Sequence, residues 1–364
     1  MKKFKPYKKK FVSWLYTLPI ILSIIGLFFV FESSSVRSFQ QYGDSFHFFK
    51  LQLIWIIFGI CAMIFFSFFD YHKLYYLSLF FILGTIALLF IVLIPGIGYQ
   101  AGGARRWLDF GIINLQPTEL AKLSVVVYLA SWFINRERKR FFSFVTLLAI
   151  LMLLIILQPD MGTAIIVFSL SVIMYFLAGI ELGYLVFLIP ISFAVFYFLV
   201  KITPYRFRRL LAFFNPSLDP LGITYHINQI LISLASGGLL GQGFGASRQK
   251  YLYLPEAHTD SIFAIIGEEF GFIGGILLLL IFLYLMYRIY QVVLHASDRF
   301  GKLLAGGIFS FFNLQIIINL SGIVNLLPLT GVPFPFISYG GSNLLVSFIF
   351  MGILINITKK SRLL

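Results

Sequence analysis

The sequence predicts an all-α polytopic membrane protein with about ten transmembrane helices, both termini cytoplasmic, and a large extracytoplasmic loop between spans seven and eight. Three observations carry that expectation. Of 364 residues, 60% are hydrophobic and only 12% charged, about half the charge of a soluble domain. Apolar runs near or above ~18 residues recur from end to end, each long enough to cross a hydrocarbon core of roughly 30 Å. The lysines and arginines gather in a few short flanks, as membrane orientation requires.

Taken in order, the candidate spans are roughly 11–31, 48–69, 74–94, 117–134, 141–158, 162–179, 182–200, 261–290, 303–325 and 338–358. The opening "MKKFKPYKKK" has the charge pattern of a signal peptide. The apolar run behind it is too long, contains Pro19 and lacks a small-residue cleavage site, so it reads as a retained first span. An even number of spans puts both termini on one side. The basic groups then agree: Lys2, Lys3, Lys5, Lys8, Lys9 and Lys10; Arg136, Arg138, Lys139 and Arg140; Arg288, Arg299 and Lys302; and Lys359, Lys360 and Arg362 share a face, which the positive-inside rule makes cytoplasmic. Nine or eleven spans would break the agreement.

Helical bundles are usually one unit, so residues 1–364 are expected to form a single transmembrane domain containing the loop 201–260. No soluble enzyme domain is present, and any chemistry belongs at or within the membrane. The net charge of +14 is accounted for by the orienting flanks and calls for no nucleic acid. Cys61, the single cysteine, excludes an intrachain disulfide. The outer face holds three connections, 32–47, 95–116 and 201–260. Arg206, Arg208 and Arg209 lie in the last, against the orientation trend, where lipid phosphates or an anionic substrate would attract them. The glycine-rich "GGLLGQGFGAS" (237–247) follows no βαβ pattern and is read as tight turning and close backbone approach.

Ionisable residues near the spans are few. In "QPTELAKLS" (116–124), Glu119 and Lys122 stand three apart on one helix face. Either they form a packing salt bridge, or Lys122 lines a polar cavity with Arg105 and Arg106 of "GARRWLDFG". In "LQPDMGTA" (157–164), Pro159 ends a helix and Asp160 caps the next. The stretch "YLYLPEAHTDSIFAIIGEE" (251–269) brings together Glu256, His258, Asp260, Glu268 and Glu269. Thr259 or Asp260 would serve as N-cap there. A cap needs one carboxylate, so the surplus reads as a functional acidic cluster, with a cap-plus-packing network as the alternative. The spacing matches no closed zinc pattern, while a hard divalent cation bridging carboxylates and a diphosphate stays open. In "LTGVPFPFISYGGSNLL" (329–345), Pro333 and Pro335 forbid helix, and Gly340 and Gly341 permit close packing.

These motifs, with "FNPSLDPLGITYHINQ" and "SGGLLGQGFGASRQKYLYLPEAHTDSIFAIIGEEFG", occur in an order that strongly resembles the SEDS (shape, elongation, division and sporulation) membrane proteins of bacteria, nearer their FtsW branch than their RodA branch. The resemblance covers nearly the whole chain from Gly103 onward. It implies ten helices, location in the bacterial cytoplasmic membrane with enrichment at the division septum, and peptidoglycan glycosyltransfer: lipid II polymerised into glycan strands on the outer face. The family's essential aspartate falls on Asp260. Departures are Ser261 in place of phenylalanine, Ile230 in place of serine and Asn343 in place of a second serine.

On that implication Asp260 is the general base that deprotonates the acceptor 4-hydroxyl. Arg106, Lys122 and Arg248 are candidates to stabilise the leaving diphosphate, with Arg105 behind them. Glu119, Glu256 and His258 complete the expected substrate-binding set, with Asp160, Glu268 and Glu269 in support. A divalent cation (Mg or Mn) could share the charge. The implied partners are a class B penicillin-binding protein transpeptidase, other division or elongation proteins and membrane lipids. A lipid II flippase and a non-catalytic division scaffold are the rival readings. A flippase needs a polar path to both faces, whereas these motifs crowd one.

Overall fold

A computed structural model describes residues 6–101, 104–111, 114–135, 141–180 and 183–361. Lys2, Lys3, Lys5, Gly103, Arg136, Arg138, Lys139, Arg140 and Arg362, used above for orientation or resemblance, lie outside the described residues.

Backbone polar groups in lipid must be satisfied within their own segment, which drives apolar runs into helices. Each of the ten expected segments coincides with one: α1 (Pro6–Tyr42), α2 (His47–Phe68), α3 (Lys73–Ile91), α4 (Pro117–Trp132), α5 (Phe141–Leu157), α6 (Met161–Leu177), α7 (Gly183–Ile202), and then α10 (Ile262–His295), α11 (Arg299–Ile323) and α12 (Gly341–Lys360). Between them lie α8 (Pro204–Phe214) and α9 (Tyr225–Gly237). By length and composition α1, α2, α3, α10, α11 and α12 suffice to cross a membrane. Helices α4, α5 and α6 are shorter, at 16, 17 and 17 residues, and α7 meets α8 at a bend of 101°.

The connections differ most from expectation. The segment 32–47, read as a loop, is largely the last turns of α1: no glycine or proline interrupts "ESSSVRSFQQY", and the helix stops at Gly43 with φ 70°. The segment 95–116 folds as an antiparallel sheet of order β1-β2-β3, with β1 (Gly98–Ala101), β2 (Ala104–Asp109) and β3 (Asn114–Leu115). The segment 201–260 carries α8 and α9 rather than irregular chain. In α8, "PYRFRRLLAFF" alternates aromatic and basic residues at helical spacing, which suits a helix lying at an interface.

Helix α10 is one element with a defined interruption. Gly271 is non-helical (φ 65°, ψ −166°), a conformation natural to glycine. The break frees carbonyls that the glycine-rich segment fills. Gln242 and Gly243 donate to the carbonyls of Glu268 and Glu269 (2.9 and 3.1 Å), and Phe272 and Ile273 donate back to Gly238 and Leu239 (2.9 and 3.1 Å). The expected close backbone approach of 237–247 is therefore an approach to α10.

Helix α12 forms the axis: 89% of its apolar window is buried, against 28% for α3 and 33% for α2 and α10. Small residues allow the helices to cross closely. A side chain at Gly59 of α2 would strike the Phe348 ring, and one at Gly352 of α12 would strike Met63 and Phe66. At the end bearing the termini, Lys359 donates to Tyr16 Oη and the Ser67 carbonyl (both 3.1 Å), and Asn356 donates to that same carbonyl (3.1 Å). Asp70 pairs with Lys360, and Asp298, the N-cap of α11, accepts from Tyr71. These ties close that end of the bundle.

Replacing Gly352 by Leu is expected to wedge α2 from α12 and cost roughly 1–3 kcal/mol, the usual penalty of overpacking. Thermal unfolding in detergent would show a lowered midpoint, and an unchanged midpoint would contradict this packing.

Candidate active site

At the opposite end, four connections converge. Arg37, near the end of α1, pairs with Glu256 at 3.5 Å. Gln52 of α2 donates to the Ser338 carbonyl (3.2 Å), Tyr339 N–H donates to the His258 carbonyl (2.9 Å), and Gln116 N–H donates to Ser342 Oγ (2.9 Å). Loops from distant parts of the chain thus surround the residues just before α10.

Asp260 sits in that surround. The segment 251–261 is a run of turns, and Glu256 adopts the left-handed conformation (φ 50°). The expected N-cap is displaced by one residue: Ser261 is the N-cap of α10, no side chain caps it, and Asp260 stands just outside the helix. The main chain of Asp260 is fixed by Asn319 of α11, whose amide donates both to the Asp260 carbonyl (2.9 Å) and to that of Val332 (2.7 Å). The carboxylate is left loose. Oδ1 accepts from Thr259 Oγ1 at 3.3 Å, and a Cβ at Gly331 would lie 3.7 Å from Oδ2. Asp260 is half-buried and, among the described residues, forms no ion pair. It is neither sealed in a dry salt bridge nor turned to the far end.

Burial raises the Asp260 pKa above the ordinary value, and Glu256 adds to the effect, while His226 and Arg209 oppose it. The helix start would favour the ionised form, yet burial prevails, and the result is a stronger base. Glu256 shows the reverse. Burial pushes it up, but Arg37, His258 and Thr259 together hold it below the usual carboxylate range. His258, expected to bind substrate, is 4% exposed, with its ring between Phe48 and Tyr339 (centroids 4.6 and 5.6 Å). Burial lowers its pKa to about 4 against the pull of Glu256. The ring is packed among aromatic side chains, and its buried Nδ1 has no hydrogen-bond partner among the described residues.

A basic corner lies at the C-terminus of α5. Arg106 Nε donates to the Gln158 carbonyl (3.0 Å), its Nη2 donates to the Pro159 carbonyl, and Arg206 Nη2 donates to the Ile156 carbonyl (3.3 Å). The last carbonyls of a helix attract such cations. Asp160 caps α6 through Thr163 N–H (3.1 Å), as expected, and also accepts from Gln116 (3.2 Å) and Thr118 (3.3 Å). Arg209 of α8 donates to the Leu329 carbonyl (3.0 Å), in the segment that passes Asp260. Arg105 is half-buried, and Arg248 is exposed.

Glu119 and Lys122 do pair, at 2.7 Å, but 2% and 1% exposed. The cavity expected to join Lys122 with Arg105 and Arg106 is not formed. Asn343 of α12 closes the second oxygen of Glu119 (2.9 Å), so a substrate role for the pair requires α4 and α12 to part. Glu268 and Glu269 act as anchors. Glu268 accepts from Ser233 (3.2 Å), Ser247 Oγ (2.6 Å) and Arg248 N–H (3.0 Å). Glu269 accepts from Ser247 N–H (3.3 Å) and pairs with Lys250 (3.4 Å), which also pairs with Glu32. No group of three or more metal-ligating side chains occurs among the described residues.

Sequence reasoning missed Arg37, Glu32, Lys250, His226 and Asn319. Each meets its partner across tens to hundreds of residues, where spacing carries no signal; Glu32 and Arg37 were also hidden by reading the end of α1 as a loop.

The FtsW/RodA/SpoVE family model, described as cell cycle protein, matches residues 13–363. The chain belongs to this family. FtsW/RodA/SpoVE relatives include a probable peptidoglycan glycosyltransferase FtsW of Geobacter metallireducens, 39% identical over 95% of this chain and 94% of that protein. Stage V sporulation protein E of Bacillus subtilis is 39% identical over 96% of this chain and 97% of that protein. Among solved structures, a peptidoglycan synthase complex that coordinates polymerization and crosslinking matches with TM-score 0.77 and 24% identity, covering 95% of this chain and 97% of the other. The rod shape determining protein RodA of Thermus thermophilus matches with TM-score 0.71 and 23% identity, covering 96% and 97%. The expected family and its helical membrane fold are thus both found.

Two outcomes follow for these side chains. Glu119→Gln or Lys122→Met alone strands a buried charge and should cost about 3–5 kcal/mol, with the double variant Glu119→Gln/Lys122→Met losing less than the sum. Thermal melts of the four proteins check this, and additive losses would contradict a coupled pair. His258 binds fewer protons folded than unfolded between its lowered pKa of about 4 and the ordinary value near ~6.5, so its contribution to stability is lost as pH falls through that window. Asp260, with its raised pKa, has the opposite sign, so the test is the difference between wild type and His258→Phe. That difference should shrink from pH 7 to pH 4, and a pH-independent difference would contradict it.

Proposed function

We propose that the chain polymerises lipid II into glycan strands at the outer face of the bacterial cytoplasmic membrane, as a peptidoglycan glycosyltransferase with Asp260 as general base. The observation that carries this reading is the Asp260 carboxylate. It is anchored through its main chain, half-open, free of ion pairs and raised in basicity, and it stands at one end of the bundle with the basic corner. FtsW-named relatives supply the reaction class.

The chemistry follows. As the acceptor 4-hydroxyl attacks the anomeric carbon of the donor, its proton passes to a carboxylate oxygen of Asp260. The new glycosidic C–O bond forms as the bond to the lipid diphosphate breaks, and the diphosphate leaves with the electron pair. A base whose pKa lies closer to the working pH accepts the proton more effectively. Arg106, with Arg206 beside it, and the exposed Arg248 are placed to meet the developing charge. A divalent cation would be held chiefly by the substrate's own diphosphate, given the ligand groups available.

In this reading α1–α7 and α10–α12 are the ten spans, the termini lie in the cytoplasm, and the Asp260 end faces outward. The charged motifs crowd the Asp260 end, while the polar groups at the other end tie to one another through Lys360–Asp70 and Lys359–Tyr16, which favours an enzyme over a flippase. A class B penicillin-binding protein is the proposed partner, by analogy with the synthase complex, and the FtsW relatives favour septal enrichment.

The test is polymerisation of purified lipid II by the reconstituted protein with its transpeptidase partner. Asp260→Asn should retain folding and lose about 10²–10⁴-fold in rate, the usual worth of a general base. A folded variant working at the normal rate would discard the assignment.

A further inference from the structure

At the end of the bundle that bears the termini, Lys360 is met by Asp70, and Lys359 by Tyr16 Oη and the Ser67 carbonyl (both 3.1 Å). Arg288 of α10 is not met in this way. It is 8% exposed, yet among the described residues no carboxylate pairs with it. Its guanidinium carbon lies 3.8 Å from the centre of the Phe11 ring of α1 and 5.8 Å from that of Tyr284, an attraction that ring faces offer to a cation. Nη1 donates to Gln291 Oε1 at 3.4 Å, and the buried Nε has no hydrogen-bond partner. These contacts hold the group in place and leave its charge unneutralised. A cation withdrawn from water calls for an anion, and the protein supplies none.

The surroundings say which anion fits. Tyr284, Tyr287, Arg288 and Gln291 are spaced to share one face of α10, and α1 adds Phe11 and Trp14, whose ring meets Tyr284 edge-on at 5.7 Å. Such a cluster of tyrosine and tryptophan belongs at the membrane–water boundary, where lipid phosphates lie. Tyr287 is 54% exposed, and its Oη accepts from Gln291 Nε2 at 2.7 Å, so its own proton is free to be donated. The edge of the guanidinium that carries Nε and Nη2 is a fork matched to two phosphate oxygens. With no carboxylate beside Arg288 to receive an ammonium, and with Lys8, Lys9 and Lys10 just ahead of Phe11 in the chain, the site favours a headgroup of net negative charge over a zwitterion.

We propose that the α1–α10 face centred on Arg288 binds the phosphodiester of an anionic glycerophospholipid, with Arg288 as the anchoring cation and Tyr287 as a second donor. This site lies at the opposite end of the bundle from Asp260 and does not rest on the assignment of the base. The bound lipid supplies the counter-charge that Arg288 lacks and seats α1 against α10.

The experiment is native mass spectrometry of the full-length chain in detergent, titrated with phosphatidylglycerol or with phosphatidylethanolamine of the same acyl chains. It compares wild type, Arg288→Gln, Arg288→Lys and Tyr287→Phe. Wild type should bind the first phosphatidylglycerol about tenfold more tightly than phosphatidylethanolamine, and Arg288→Gln should lose that factor, as expected for one charge-assisted contact. Arg288→Lys keeps the charge without the fork and should recover part of the loss. Tyr287→Phe should weaken phosphatidylglycerol binding by about threefold, the worth of one neutral hydrogen bond. Equal affinity of wild type for the two lipids, or undiminished phosphatidylglycerol binding by Arg288→Gln, overturns the proposal. Tyr287→Phe leaves the stack of Arg288 on Phe11 intact, so if Arg288→Gln is not recovered folded, a Tyr287→Phe protein that binds phosphatidylglycerol like wild type overturns it instead. Inorganic phosphate at the lipid's own concentration should displace none of it; displacement would make the ligand a free phosphate ion and end the lipid assignment.

Discussion

A charge withdrawn from water must be met by an opposite charge or by several hydrogen bonds, and that constraint organises this molecule. Glu119 is met by Lys122 and Asn343, Glu268 by two serine hydroxyls and a backbone N–H, Glu269 by Lys250, and Asp160 by Thr163, Gln116 and Thr118. Asp260 is the contrast. One weak hydroxyl contact meets its carboxylate, and among the described residues no cation pairs with it. Its carboxylate is the half-exposed one, and on the proposed reading that is where a proton is taken up.

Holding such a group half-open requires rigidity around it, and the fold supplies this from three directions. Gly271 interrupts α10 so that the glycine-rich segment can hydrogen-bond into the break, and Glu268 and Glu269 then pin residues 245–250 to the same helix. Asn319 of α11 ties the main chain of Asp260 to that of Val332. Arg37 of α1 holds Glu256 at the same end of the bundle. The two glutamates deepest in α10 therefore serve the site by fixing its frame. Charges inside membrane helices commonly mark function, but here they do so at one remove.

The helices were legible because their cause is local: long apolar runs in lipid have one stable conformation, and Pro117 and Asp160 mark helix starts wherever they fold. Asp260 stood out because four carboxylates near a helix start exceed what capping needs. What could not be read depends on contacts between distant segments. The burial of Lys122 depends on α12, more than two hundred residues away in sequence. The closure of His258 between Phe48 and Tyr339 joins three separate parts of the chain. Helices α8 and α9 escaped because amphipathic segments in a polar connection lack the long apolar run that announces a span.

In the arrangement proposed above, two lipid-linked sugars meet at this end of the bundle with the diphosphate toward the arginines. The most direct measurement is a structure of the protein with donor and acceptor analogues of lipid II bound. The account predicts the acceptor 4-hydroxyl within about 3.2 Å of an Asp260 carboxylate oxygen. An acceptor hydroxyl seated elsewhere, with Asp260 closed off by a neighbouring cation, would contradict it.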